Sequence, residues 1–453
     1  ETSMSNLLEQ ASLVLIPSGY KEDVVYSQIP LDGSGDLQLT RASNGTRINS
    51  AGLVEVTPWN IAEYSEDQTQ WTSQNATTVT ANSTTAPNGT STADTVTPTA
   101  VNDDHYRGIG LSSQVGELTA FIYVKPNGYN FFDWGIYNGS SYLVRATFDL
   151  VNLTYTFTNA GTATIESVGN GWLKCGISGS NASLSTIDLY YRIRPTGGAG
   201  GFTGNGTSGA FIWGAQLNIG STAKPYFPTT DRLNVPRLTY QNGGGGCPSL
   251  LLEKQSTNYA RNNNDLTGWT KITGTDTISL NAGTSPDGTS NGINLIPSTA
   301  NGNHMFYDGS TSVASSGNFT MTCYAKANGY SKFSMRESAS VGYYASFNLS
   351  NGTVLDNGGN TASIENLGNG WYRCILSVVA STSVQIGLLV LSDSYTSGQP
   401  FGLTWSGDGT KGILTYGAQL EVSSSYATSL ISTAGVASAT RVADACFKTG
   451  ISS

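Results

Sequence analysis

Two eleven-residue stretches hold the residues best suited to chemistry: IESVGNGWLKC at 165–175 and IENLGNGWYRC at 364–374. Each carries a carboxylate (Glu166, Glu365), an indole ring (Trp172, Trp371), a cation two residues later (Lys174, Arg373) and a thiol (Cys175, Cys374). A ring beside a cation can form a cation–π pair or a platform for a sugar. The only two histidines, His105 and His304, also occupy equivalent places, the first inside NDDHY at 102–106.

Catalytic constellations do not assemble from these residues. The histidines are far apart in sequence and no nucleophile motif accompanies them, so a Ser-His-Asp arrangement has no support. Glycosidases need two carboxylates across a cleft. Glu166 and Glu365 instead each precede a hairpin turn, where local hydrogen bonding is expected. Metal binding needs several convergent ligands. Asp103 and Asp104 beside His105 could serve a hard cation, but the other copy has Gly302 and Asn303 there. The glycine-rich GGAGGFTGNG at 197–206 lacks the strand–turn–helix context of a phosphate loop. No enzyme activity, metal or cofactor is expected.

The five cysteines, Cys175, Cys247, Cys323, Cys374 and Cys446, are odd in number and irregular in spacing, which is not a disulfide framework. Cys175 alternates with Leu173 and Ile177, and Cys374 with Tyr372 and Leu376. They are expected as small core hydrophobes, with a Cys323–Cys374 bridge as the lesser reading.

The elements that position these residues are strands. Asn170-Gly171 and Asn369-Gly370 are hairpin-turn dipeptides, because a type I′ turn requires positive φ at both central residues. The strand that follows puts Trp172, Lys174 and Gly176 on one face and Leu173, Cys175 and Ile177 on the other, the expected core. Each tryptophan then has two readings: a ring capping the sandwich with the Lys or Arg stem across it, or a glycan contact. The turn anchors the hairpin in both copies, which favours the first.

The echo runs far beyond this turn. TTAPNGTSTAD at 84–94 answers GTSPDGTSNGI at 283–293, FIYVKPNGY at 121–129 answers TCYAKANGY at 322–330, and GAQL occurs at 214–217 and 417–420. The offset drifts from 198 to 203, as when only loops change length. A repeat this long exceeds the ~20–50 residues of a solenoid unit, so each copy is expected to be a domain with its own core. An arginine marks each joint, Arg41, Arg237 and Arg441, and Gly243 to Gly246 are expected as a flexible run just after the middle one. The division expected is an N-terminal arm at 1–38, one module at 39–234 and another at 235–453. The arm is expected to hold a short helix over 3–10 and an extended ASLVLIP at 11–17.

Composition agrees. Only 12% of the 453 residues are charged, about half the usual ~25%. The 23 Tyr, 14 Phe and 8 Trp exclude a disordered chain. Polarity comes from Ser, Thr, Asn and Gly, which suits strands with one solvated face and many turns. The net charge of −9 shows no basic stripe, arguing against nucleic-acid binding. No apolar run approaches the ~18 residues of a membrane span. The opening residues lack a basic stretch before their short apolar run and are not expected to be a secretion signal. The expected fold class is all-β: two tandem jelly-roll-like β-sandwiches preceded by a short arm.

WTSQNATTVTANSTTAPNGTSTAD, VKPNGY…GNGWLKC and GAQL…PTTDRLNVPRL resemble the repeated module of phage head spike fibre proteins. LTRASNGTRINSAGLVE at 39–55 resembles the segment that introduces the module in crAss-like phages. The resemblance covers roughly 39–445 and implies a non-enzymatic, homotrimeric virion appendage on the head exterior, synthesised in the bacterial host cytoplasm. It implies capsid proteins as partners of the arm, with Leu13, Leu15, Ile16, Tyr20 and Tyr26 as docking residues. It implies carbohydrate-binding-module-like sandwiches that face outward, adhering weakly to host or mucosal glycans. The alternatives are a secreted or surface carbohydrate-binding protein, or a phage tail fibre.

Overall fold

The computed structural model describes residues 11–448, apart from 17–18, 58–59, 158–160, 199, 232–233, 242, 310–312, 314–316, 338–341, 381–383 and 423. The helix expected over 3–10 lies outside these residues. Among the described residues the protein is strands and turns, with a single 3₁₀ turn at Gln68–Gln70. The chain divides into two compact units, Pro58–Arg232 and a second made of Glu1–Thr57 with Leu233–Ser453.

The Pro58–Arg232 unit is a two-layer β-sandwich. Its longest strands, Tyr106–Asn127 and Trp172–Arg194, are antiparallel partners. Their register shifts between Leu111 and Gln114 and again before Gly116, so these bulges bend the pair from one layer into the other. One layer orders Ser73–Asn75, 106–111, 187–194, Phe131–Tyr137, Tyr142–Asp149 and Thr154–Phe157. The other orders Thr77–Thr84, Ala93–Pro98, Gly209–Ile219, 117–127, 172–181 and Thr162–Gly169. The core between them includes Ile122, Trp134, Leu173, Cys175, Ile177 and Leu217, the face that strand alternation assigned to the interior.

In the second unit the corresponding layers are two separate six-stranded sheets. Cross-strand register aligns the copies. Phe132 sits opposite Ile193 and Phe148, and Phe333 opposite Val390 and Phe347. The fold is therefore all-β with two β-sandwiches, and the duplication is structural as well as sequential.

The GAQL repeat has a physical reason. Gly214 and Gly417 have φ of +63° and +60°, at register shifts in their ladders, where a Cβ would be strained. Ala215 and Ala418, with Leu217 and Leu420, lie in the cores. Gln216 donates to the carbonyls of Lys224 and Pro225 and accepts from the Phe227 amide. Gln419 does the same with Thr428, Ser429 and Ile431. The buried glutamine thus fixes the closing loop in each copy.

The joints differ from the expected linkers. Strand Leu37–Thr40 pairs with Ala445–Phe447, across the 38/39 boundary, and continues into the hairpin Tyr20–Lys21 and Val24–Val25. The N-terminal segment is thereby part of a compact unit with the chain's last strand. Gly243 to Gly246, read as a flexible run, form a turn with φ between +71° and +97°. Its Gly245 amide donates to the Ser50 carbonyl, and a Cβ on Gly52 would stand 2.0 Å from the Gly243 carbonyl oxygen.

Candidate functional site

The two tryptophans are interior residues. Trp172 is 1% and Trp371 3% exposed. Asn170 and Gly171 have φ of +52° and +78°, and Asn369 and Gly370 +51° and +77°, as the turn requires. Trp172 then packs with Ala86, Ala93, Trp213 and Tyr123, and Trp371 with Val54, Tyr324, Leu414 and Leu430. Each indole N–H is satisfied by a loop 87 residues earlier, donating to Thr85 O at 3.2 Å and to Thr284 O at 3.0 Å. The PNGT and PDGT turns follow these carbonyls, closed by Thr90 and Thr289 amides donating to Asn88 and Asp287. As glycan contacts both tryptophans are corrected: neither ring is open to a ligand. The cations do not lie across the indoles either. Lys174 Nζ sits 4.1 Å from the Phe121 ring centroid, and the Arg373 guanidinium 5.8 Å from that of Tyr324.

The other sequence candidates have neighbours of their own. Glu166 faces Lys174 and Glu365 faces Arg373 across their hairpins. His105 is 1% exposed, its ring nitrogens 2.6 and 2.9 Å from the Ala76 and Phe202 carbonyl oxygens. His304 faces Asp276 Oδ1 at 2.8 Å and Trp405 O at 3.0 Å. Asp104 is held by Arg192 and Arg194. Among the described residues no group of three or more His, Cys, Asp or Glu converges on a metal position. Cys323 and Cys374 are direct cross-strand partners and both are free thiols. Leu13, Leu15, Ile16 and Tyr26 are 38–47% exposed. Tyr20 is half-buried and its hydroxyl accepts from Arg47 at 3.3 Å.

A site that sequence reasoning missed lies on the outer face of the first layer in the Pro58–Arg232 unit. Residues alternating with the core form three cross-strand rows. Tyr106, Arg192, Asp133 and Thr147 make one; Gly108, Tyr190, Gly135 and Arg145 the next; Gly110, Asp188, Tyr137 and Tyr142 the third. The tyrosines are half-buried. Their rings meet edge-on, Tyr106–Tyr190 at 5.8 Å and Tyr137–Tyr142 at 5.2 Å between centroids. Glycine is required beneath them: a Cβ on Gly108 would stand 2.3 Å from the Tyr190 ring.

Charges lock this face. Arg192 donates to Asp104 at 2.7 Å and to the Tyr142 hydroxyl at 3.0 Å, its guanidinium 5.6 Å from the Tyr106 centroid. Buried Asp133 accepts from Arg145, Arg194 and Thr147 at 2.5, 2.7 and 2.7 Å. Burial pushes the Asp188 carboxyl above its ordinary range, and the Tyr190 hydroxyl likewise. Half-open rings flanked by arginine donors and a carboxylate acceptor can stack on the C–H face of a sugar and bond its hydroxyls.

The second sandwich replaces and covers this face. Tyr106, Arg192, Arg194 and Asp133 correspond by register to Met305, Leu389, Leu391 and Ser334. Tyr395, 8% exposed, closes over Met305, Leu389 and Leu391. Phe401, from the same 392–403 loop, lies 4.0 Å from the Arg336 guanidinium. In the first sandwich the matching loop is the glycine-rich stretch after Arg194. It folds onto Arg194 through the Gly198 and Gly200 carbonyls, and the tyrosines remain half-buried. The signal was in the sequence, as the length and composition difference between these two loops.

Neither a protein-family model nor a curated protein matches this sequence. Among solved structures, the chain is similar to the N-terminal CBM22-1–CBM22-2 tandem domain of Paenibacillus barcinonensis Xyn10C, at 12% identity and a TM-score of 0.25, covering 80% of this chain and 96% of that one. Oxalate decarboxylase from Bacillus subtilis matches at 8% identity and a TM-score of 0.09, covering 73% and 71%.

Proposed function

We propose that the protein is a non-enzymatic glycan-binding protein, with the tyrosine–arginine face of the Pro58–Arg232 unit as its ligand surface. One observation carries this reading. The same strands present half-buried tyrosines, arginines and Asp188 in one sandwich and a covered apolar patch in the other. Catalysis is not part of it: Asp133 is saturated by three donors, which leaves Asp188 as the one carboxylate of these rows available to a ligand, and glycoside hydrolysis uses two. A glycan array probed with the full chain and with Tyr142→Ala/Tyr190→Ala tests it. Binding that is unchanged in a folded double variant overturns it.

A second reading concerns where the binding is displayed. The sequence resemblance supports a trimeric head fibre docked on capsid proteins, and the exposed Leu13, Leu15, Ile16 and Tyr26 support an attachment role for the N-terminal segment. The test is docking on particles that lack the protein. Equal occupancy by a Leu13→Ser/Leu15→Ser/Ile16→Ser chain sinks it.

A further inference from the structure

The Glu1–Thr57 and Leu233–Ser453 unit contains a cleft of about 920 Å³, in the size range of small-ligand sites. Its floor comes from the hairpin that carries the repeated turn, with Glu365 and Arg373, and from Tyr324 on the neighbouring strand Gly317–Asn328. Its wall is the pair of joint segments, with Arg47, Ile48 and Val54 from one and Tyr240 and Leu251 from the other. The face bearing the repeated tryptophan is treated differently in the two copies. In the Pro58–Arg232 unit Tyr226 packs onto Tyr123 and Trp213, at 6.1 and 4.7 Å between centroids, and fills that face. In the second unit the joint segments stand beside it and leave a cavity.

The lining states what would fit. Arg47 and Arg373 are balanced by Glu253 and Glu365, so no net field selects an ion. Arg47 is held by Glu55, and Glu253 by Arg237, Arg441 and Ser429, so these groups are already committed. Three polar groups are not. The Glu365 side chain is 55% exposed and 3.9 Å from Arg373. Tyr324 is 97% buried (3% exposed), yet its hydroxyl has no hydrogen-bond partner among the described residues. Tyr240 is half-buried with the same vacancy. Neither hydroxyl is sealed from solvent, so each can exchange water for a ligand hydroxyl. Aromatic and aliphatic walls with dispersed hydroxyl, carboxylate and guanidinium groups match an uncharged, polyhydroxylated molecule that has apolar C–H faces.

We propose that this cleft is a second ligand site, for a neutral oligosaccharide, bound by Tyr240, Tyr324, Glu365 and Arg373. It shares a ligand class with the tyrosine–arginine face but no residue.

The test is calorimetric titration of the full chain with cellohexaose, xylohexaose, mannohexaose and chitohexaose. Three variants accompany the parent: Tyr142→Ala/Tyr190→Ala on the first face, Tyr240→Ala/Glu365→Ala in the cleft, and all four together. Thermal melting confirms that each is folded. Tyr324→Phe, which removes only the hydroxyl, checks the cleft without opening a cavity. The expected result is that the parent binds at least one sugar and the first-face variant still binds it. The cleft variant then weakens that remaining binding by about tenfold or more, and Tyr324→Phe weakens it in the same direction. If the first-face variant abolishes all binding, the cleft proposal falls and the first face stands. If the cleft variant alone abolishes it, the cleft stands and the first face falls. Binding that survives all four substitutions, or a parent that binds none of the four sugars, overturns both.

Discussion

Trp371 donates its indole N–H to the carbonyl oxygen of Thr284 at 3.0 Å, 87 residues earlier in the chain. Trp172 and Thr85 hold the same relationship, at the same separation, in the other sandwich. The contact ties the repeated hairpin to the repeated PNGT/PDGT turn, so the strongest echo in the sequence marks a packing joint.

Truncating either ring should therefore act on stability. Trp172→Ala or Trp371→Ala is expected to cost about 3–5 kcal/mol, as for other large buried aromatics. Urea unfolding followed by circular dichroism measures this. Binding at the tyrosine–arginine face by the folded fraction should not change.

The three joint arginines meet in one buried cluster. Arg41 and Arg237 both donate to Asp444, and Arg237 and Arg441 both donate to Glu253. Asp444 also accepts from the Glu253 amide at 2.8 Å. Asp444→Ala leaves two buried guanidinium groups short of a partner, and breaking such pairs typically costs about 3–5 kcal/mol. The segment before Thr57 should then become sensitive to limited proteolysis before the rest of the chain, since its strand Leu37–Thr40 pairs beside this cluster.

The same cluster sets an acid limit. Burial works against ionising Glu253, but Arg237 and Arg441 outweigh it and hold the carboxyl below its ordinary value of 4.5. A depressed carboxylate contributes stability above its unfolded-state pKa and loses it as pH falls through the folded-state value. Melting temperature should thus decline as pH drops below 4.5, and Glu253→Gln should flatten that decline while lowering the plateau above it.

Thiol reactivity should separate the cysteines. Burial pushes the Cys323 thiol up to about 12 and raises Cys175 and Cys374 as well. Cys247 is exposed. Native protein treated with an aromatic disulfide reagent should modify Cys247 rapidly and the three buried thiols only after unfolding. Modification of Cys374 at the rate of Cys247 would contradict its placement.

The duplication, the strand alternation that buries Leu173, Cys175 and Ile177, and the positive-φ turns at Asn170-Gly171 and Asn369-Gly370 were all legible from residue order. Each is set within a few neighbouring residues, by period-two geometry or by the steric freedom of Asn-Gly. The tryptophans were legible only in part, because burial of a ring on the non-core face depends on a loop 87 residues away.

What only the tertiary structure decided was which residues far apart in sequence meet. Arg41, Arg237 and Arg441 read as markers of three joints until Glu253 and Asp444 drew them together. Buried charges need partners wherever in the chain these lie. The tyrosine–arginine face needed the register of adjacent strands, since Tyr106, Tyr137, Tyr142 and Tyr190 share a surface only once those strands pair. Local order determined the repeated scaffold. Strand pairing and loop closure, set by contacts across tens to hundreds of residues, determined which copy keeps that face open.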